Sequence, residues 1–320
     1  MQGSEGSHFP PLLKFGAFTP EDEARLKETF TLVDEAAIER DPRLAQQVKG
    51  LVTRSNYRVT KALIDQLPAL KIIATNGVGF DGIPVDYAAQ KGIVVTHTPD
   101  VLNKAVAELA IGLLFSLLRR LPAADRFVRE GQWLHLTPAL AYDLAGKKVG
   151  IVGLGRIGKE IANRLEAFEV DIAYFGRKPQ AVAWSYFSSV EALAASVDIL
   201  IVTCPGGADT FHLIDESVLG RLGPEGFIVN IARGSVIDEA ALCRALSERA
   251  IRGAALDVFE HEPLADSPLL GLDNVVLTPH IGSATHETRR RMTELVIRNL
   301  VSFFTTGRAV TPVPSSFQMN

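Results

Sequence analysis

The chain has 320 residues, 47% of them apolar and 22% charged, an ordinary globular composition whose length points to two domains. A net charge of −4 excludes broad attraction to nucleic acid or to an anionic membrane surface. The two cysteines, Cys204 and Cys243, show neither a Cys-x-x-Cys pair nor metal-ligand spacing, which excludes a disulfide framework and a zinc site; no metal is expected.

The first residues, "MQGSEGSHFP", carry no basic n-region and no apolar core. They are expected to form a loose segment rather than a secretory signal. The longest apolar run, "LAIGLLFSLL", is about ten residues, too short to span a bilayer, so a soluble cytoplasmic protein is expected. Short apolar runs then alternate with helical patterns. "GLVTR", "LKIIATN" and "GIVVTHT" read as buried strands, with "TKALIDQLP" and "PVDYAAQKG" as helices between them. This rhythm predicts a parallel sheet in a first unit ending near Asp100.

"NKAVAELAIGLLFSLLRRLPAADRFVREG" reads as a long helix, with Asn103 able to cap it. It is apolar over more than one face and must be buried, either in a core or against a second subunit. From Lys147 the α/β rhythm restarts, with strands expected at "KKVGIVG", "VDIAYF", "DILIVTC", "GFIVNIA", "AALDVF" and "NVVLTP". "RIGKEIANRLEAF" places Ile157, Ile161, Leu165 and Phe168 on one helix face. A final long helix, "ETRRRMTELVIRNLVSFFTTG", is expected to stop at Gly307.

Gly153, Gly155 and Gly158 form G-x-G-x-x-G directly after a strand and at the start of an amphipathic helix. In that context the pattern is expected to cradle a dinucleotide pyrophosphate, the alternative being a plain βα turn. Gly153 permits the tight turn, Gly155 leaves the backbone open to phosphate, and Gly158 lets helix and strand pack closely. The helix amino terminus adds N–H donors and the positive end of its dipole. An acid about twenty residues further on normally binds the adenosine ribose. Here "YFGRKP" offers Gly176, Arg177 and Lys178 instead. A carboxylate would repel a 2′-phosphate, whereas a guanidinium fork and an ammonium suit one. NADPH is therefore expected in preference to NADH; the alternative is a surface loop with solvated charges.

Chemistry in an open parallel sheet sits at the carboxyl ends of the strands. Of seven histidines, His280 in "NVVLTPHIGSAT" follows a strand and precedes a small-residue turn, as a catalytic imidazole would. Arg233, in "NIARGSVID", also follows a strand, where it can bind a carboxylate and polarise an adjacent carbonyl, or simply pair with an acid near the next helix. "LDVFEHEPL" supplies acids, but spacing alone leaves Asp257, Glu260 and Glu262 as equal candidates to face the imidazole. A carboxylate there favours a protonated histidine, which carbonyl reduction needs as proton donor.

Together "GLGRIG", "ARGS", "DVFEHEP" and "TPHIGSAT", in this order over nearly the whole chain, resemble the D-isomer-specific 2-hydroxyacid dehydrogenase family. The resemblance implies two Rossmann-like/flavodoxin-like parallel-sheet domains with the active site in the cleft between them. It implies a discontinuous substrate domain, 1–101 plus 287–320, and a dinucleotide-binding domain, 102–286, through which subunits pair as a homodimer. The catalytic set would be Arg233, Glu262 and His280, which selects Glu262 among the three acids. Asp257 and the Gly282–Ser283 turn would lie near the nicotinamide. Arg156, Ile157, Cys204, Pro205, Thr210 and Ile231 would join the glycines and the Gly176–Lys178 corner on the cofactor. Arg233 and the backbone N–H groups around Val78 and Gly79 would hold the substrate carboxylate.

Within that family "YFGRKP" resembles the NADPH-preferring reductases of glyoxylate, hydroxypyruvate, hydroxyphenylpyruvate or 2-ketogluconate. The length is expected to leave no room for the regulatory domain of long phosphoglycerate dehydrogenases. "GQWLHL" has Trp133 but Leu136, where some glyoxylate/hydroxypyruvate reductases carry a second tryptophan, which departs from strict selection of very small substrates. Arg54, just past "GLVT", is either solvent-facing or turned to the far end of the substrate, where it would favour a hydroxylated or anionic tail. A reading from another class, a dinucleotide-responsive binding protein on the same fold, is opposed by the intact Arg/Glu/His set.

Overall fold

A computed structural model describes residues 8–314. These divide into two compact units, 8–102 with 283–314, and Asn103–Gly282. Most of the expected loose segment, residues 1–7, lies outside the described residues. The ring of Phe9, just beyond it, packs 5.2 Å from that of Phe30.

The first unit carries strands β1 (Leu12–Lys14), β2 (Leu32–Val33), β3 (Gly50–Arg54), β4 (Ile72–Asn76) and β5 (Val94–Thr96). They form an all-parallel sheet in the order β2-β1-β3-β4-β5, the doubly wound flavodoxin-like arrangement. Both faces are covered. Leu13, Leu51, Ile73 and Val95 pack on one side. Leu12, Val52, Ile72 and Ala74 pack on the other, against Val296 and Leu300 of the helix His286–Thr306. Two-sided burial explains why β3 and β4 read as continuous apolar runs. The final helix ends at Gly307, whose φ of +74° is a left-handed cap. Strands β1 and β2 were not expected from the sequence: with three and two residues they are too short to show a period.

The second unit carries β6 (Lys148–Val152), β7 (Asp171–Phe175), β8 (Ser185–Phe187), β9 (Ile199–Val202), β10 (Phe227–Asn230), β11 (Gly253–Leu256) and β12 (Val275–Leu277). All pair in parallel, in the order β12-β11-β10-β9-β6-β7-β8. Counted within the unit this is the 3-2-1-4-5-6 dinucleotide-binding order with one strand added at the far edge. The order reverses between β6 and β9, so the crevice at their carboxyl ends is the expected ligand site.

The single long helix expected from Asn103 is two helices, Asn103–Leu118 and Leu121–Arg129, with Arg120 between them at φ +51°. Pro122 is the physical reason: its ring would clash with the carbonyl of residue 118 in a continuous helix, and it has no N–H to donate. Val106, Ala110, Leu113, Leu114 and Leu117 of the first helix are buried. Among the described residues no helix is long and apolar enough to cross a membrane.

Candidate active site

The glycine-rich turn follows β6 directly. Gly153 has φ +98°, and a Cβ there would sit 2.7 Å from the Cys204 backbone, so only glycine fits between the turn and the end of β9. At Gly158 a Cβ would meet the Gly153 carbonyl at 2.6 Å, which is the close packing of helix on strand that the spacing predicts. Gly155 is different: a Cβ would meet nothing within 4 Å. No internal packing demands a glycine there, but a phosphate approaching the backbone would. The helix Arg156–Leu165 starts at Gly155 without any side-chain cap, which suits an amino terminus that receives an anion. These features fit a dinucleotide pyrophosphate.

The corner after β7 is tied to this turn. Gln180 donates from Nε2 to the Leu154 carbonyl at 2.8 Å, and its backbone N–H donates to the Tyr174 hydroxyl at 2.7 Å. The Tyr186 hydroxyl donates to the Gly176 carbonyl at 3.3 Å. Arg177 and Lys178 are exposed, and a Cβ on Gly176 would again meet nothing. Space and two cations thus stand where a ribose-binding acid is usual. Sequence reasoning passed over Gln180, though it follows the basic pair by two residues.

Arg156 is exposed, Ile157 half-buried, and Cys204 and Ile231 buried. Burial pushes the Cys204 thiol up to about 11, so it is a neutral packing group and not a nucleophile. Pro205 is exposed, and its carbonyl accepts from the Thr210 hydroxyl at 2.7 Å, which fixes the loop after β9.

The candidate catalytic residues come from the carboxyl ends of three adjacent strands. After β10, buried Asn230 braces the backbone at Arg233: its Nδ2 donates to the Arg233 carbonyl and its Oδ1 accepts from the Ala232 N–H, both at 3.0 Å. Arg233 Nη1 donates to the Ala232 carbonyl at 2.7 Å. After β11 comes the acidic loop, and after β12 the turn with His280, whose φ is +53°. Asp257 holds that turn. Its carboxylate accepts from Thr278 Oγ1 at 2.7 Å, from the Ile281 N–H at 2.8 Å and from the Gly282 N–H at 2.9 Å. Burial raises the Asp257 pKa above the ordinary value; these donors and the His280 charge only partly offset it.

The structure separates the three acids that spacing left equal. Asp257 faces the turn. Glu260 meets His212, Oε1 to Nε2 at 2.5 Å. Glu262 meets His280, Oε2 to Nδ1 at 2.7 Å, and its Oε1 accepts from the Phe259 N–H at 3.1 Å. Burial would raise the Glu262 pKa, but the His280 hydrogen bond and charge, the Phe259 amide and the Arg233 charge outweigh it and hold the carboxyl below the ordinary glutamate value. One ionised carboxylate thus feels both the imidazole and the guanidinium. With Nδ1 against Glu262, Nε2 is the ring nitrogen left to meet a ligand. The His212–Glu260 pair and the Asn230 brace were not foreseen, because each depends on which loops the fold brings together.

Val78, Gly79 and Arg54 belong to the other unit, at the carboxyl ends of β4 and β3. The Val78 carbonyl lies 2.9 Å from His97 Nδ1, and Arg54 Nη1 donates to the Ala17 carbonyl at 3.2 Å.

A family model described as the NAD binding domain of the D-isomer specific 2-hydroxyacid dehydrogenases matches residues 111–282. A hydroxyphenylpyruvate reductase of Plectranthus scutellarioides is 45% identical over 270 residues, 84% of this chain and 86% of that protein. A 2-ketogluconate reductase of Gluconobacter oxydans (strain 621H) is 40% identical over 305 residues, 95% of this chain and 98% of that one. Among solved structures, an NADPH-dependent glyoxylate/hydroxypyruvate reductase from Sinorhizobium meliloti, in complex with NADP and malonate, superposes with a TM-score of 0.90 at 44% identity, covering 95% of this chain and 96% of that chain.

Proposed function

Because the chain belongs to the D-isomer specific 2-hydroxyacid dehydrogenase family, we propose that it reduces a small 2-oxoacid to the D-2-hydroxyacid, preferring NADPH and accepting NADH. The substrate is of the glyoxylate, hydroxypyruvate or 2-ketogluconate class, which the named relatives act on. The observation that carries this reading is the Glu262 carboxylate, bonded to His280 at 2.7 Å and within reach of the Arg233 charge.

A bound reduced nicotinamide supplies a hydride to the carbonyl carbon. Arg233 takes the substrate carboxylate in its planar fork and stabilises the negative charge that grows on the neighbouring carbonyl oxygen. His280 gives the Nε2 proton to that oxygen. Glu262, ionised, stabilises the imidazolium before the transfer and keeps the Nδ1 proton in place after it, so the tautomer is fixed throughout. Val78 and Gly79, through their backbone N–H groups, and Arg54 are further proposed substrate contacts. They stand at strand carboxyl ends of the first unit, where open parallel sheets bind ligands.

NADPH preference is supported by Gly176, Arg177 and Lys178. A homodimer is supported by the segment after the Arg120 break, which exposes Trp133, Leu134 at 80% and Leu140 at 95% of their surface. An isolated chain rarely leaves such a run open, and a second copy is the partner proposed to cover it. Cys204 and Cys243 are free thiols, which supports a reducing, cytoplasmic compartment.

The test is a steady-state panel of glyoxylate, hydroxypyruvate, hydroxyphenylpyruvate and 2-ketogluconate with each reduced dinucleotide, followed by loss of nicotinamide absorbance. Turnover of at least one oxoacid is expected, faster with NADPH. A flat trace across the panel would overturn the reading.

A further inference from the structure

His212 lies outside the catalytic set, yet three loops meet at it. It ends the loop after β9 that carries Pro205 and Thr210. Its backbone N–H donates to the Ser235 carbonyl at 2.9 Å, two residues beyond Arg233. Its Nε2 faces Glu260 Oε1 at 2.5 Å, two residues before Glu262. Its Nδ1 is 3.9 Å from Asp238 Oδ2, and the ring stacks on Phe211 with centroids 3.9 Å apart. Just past it, the Ile214 N–H donates to the Val236 carbonyl at 3.0 Å.

The residue is held in an unusual backbone state, with φ +50°. A non-glycine residue there costs free energy, which the surrounding bonds offset. The partner acid is itself fixed: the Glu260 N–H donates to Glu239 Oε2 at 3.1 Å. His212 therefore joins two anchored segments: its backbone N–H holds the one that follows Arg233, and its imidazole holds the one leading to Glu262.

We propose that His212 is a positioning residue that sets the Arg233 segment against the Glu262 segment. The proposal rests on the reductase reading above. It explains why the acidic loop needs both Glu260 and Glu262: one ties the loop down and the other serves the reacting imidazole. Displacement of a reacting group by about 1 Å costs on the order of 10²-fold in rate, so loss of the tie is expressed in turnover before it is expressed in folding.

The test compares His212→Asn with His212→Gln in the full chain. Asparagine tolerates a positive φ but is too short to reach Glu260, whereas the glutamine amide can replace Nε2–H as donor. His212→Asn is expected to lower kcat/KM for the oxoacid about tenfold or more, and His212→Gln to restore most of it. Amide hydrogen exchange at 233–237 and 258–263 is expected to rise in His212→Asn and not in His212→Gln. Wild-type exchange kinetics in both segments, or equal losses in both variants, would overturn the role. If the wild type turns over no oxoacid, the functional reading fails, and the exchange comparison still decides whether His212 positions the two segments.

Discussion

Gly234 lies so close to Phe259 that a Cβ on it would come 1.8 Å from the Phe259 carbonyl carbon and 2.3 Å from the Glu260 amide nitrogen. The loop after β10 and the loop after β11 are thus in main-chain contact, one residue from Arg233 and three from Glu262. No side-chain rotation can relieve the clash, because the obstructing atoms are backbone. Gly234→Ala is expected to force the two loops apart. Overpacking of this kind costs about 1–3 kcal/mol or more, and the shift should lower kcat/KM on the order of 10²-fold. A melting curve beside an activity assay checks both, and an unchanged pair of values would contradict the contact.

The Glu262 carboxyl sits below its ordinary value of 4.5, burial being outweighed by His280, the Phe259 amide and Arg233. For a depressed acid the stabilisation is complete above the unfolded value and is lost as pH falls through the lower folded value. Glu262 should therefore stay ionised throughout the neutral range and become protonated only in acid. Glu262→Gln removes the ionised partner without much change of shape. Its turnover at neutral pH is expected to fall on the order of 10²-fold, the range of acid–base contributions. Its stability deficit against wild type should shrink once pH drops below the ordinary glutamate value. Denaturant titrations at neutral and acid pH check the second half; a deficit that grows in acid would reverse the sign of this argument.

Much of this candidate site could be proposed before the fold was known. The glycine spacing, the arginine after one strand and the histidine after another each carry their chemistry locally, because a parallel sheet sends its strand ends to one edge. What spacing could not give was the choice among acids, which only the family resemblance made. Glu262 and Glu260 are told apart by the imidazole each meets, and those imidazoles are 18 and 48 residues away. The same limit hid Gly234, whose constraint comes from another loop, and β1 and β2, which the sheet supports and their own sequences do not announce. The break at Arg120 was local, and Pro122 carried its signal.

Cys204 makes the opposite case, a residue near the ligand turn whose reactivity the fold removes. Burial holds its thiol at about 11. At about pH 8 the thiolate is then on the order of one molecule in 10³. Iodoacetamide should label it slowly in the folded protein and readily after unfolding, as read by peptide mass. Rapid alkylation of the folded chain at Cys204 would mean that the packing between it and Gly153 is wrong.

The corner after β7 makes a sharper demand. Gly176 leaves room, Arg177 and Lys178 supply charge, and Gln180 ties the corner to the glycine turn through Leu154 at 2.8 Å. If the two cations recognise a 2′-phosphate, their removal must weaken NADPH and spare NADH, which has no such group. Hydrogen bonds to charged groups are worth about 1.5–3 kcal/mol, so Arg177→Ala is expected to raise KM for NADPH about tenfold or more while KM for NADH stays near its starting value. Gly176→Asp should go further. It places a carboxylate where a ribose hydroxyl would bond and a phosphate would be repelled, and its Cβ would meet nothing beyond its chain neighbours within 4 Å. Steady-state constants for both dinucleotides measure the ratio. Parallel losses for NADPH and NADH would show that the corner shapes the turn without reading the phosphate.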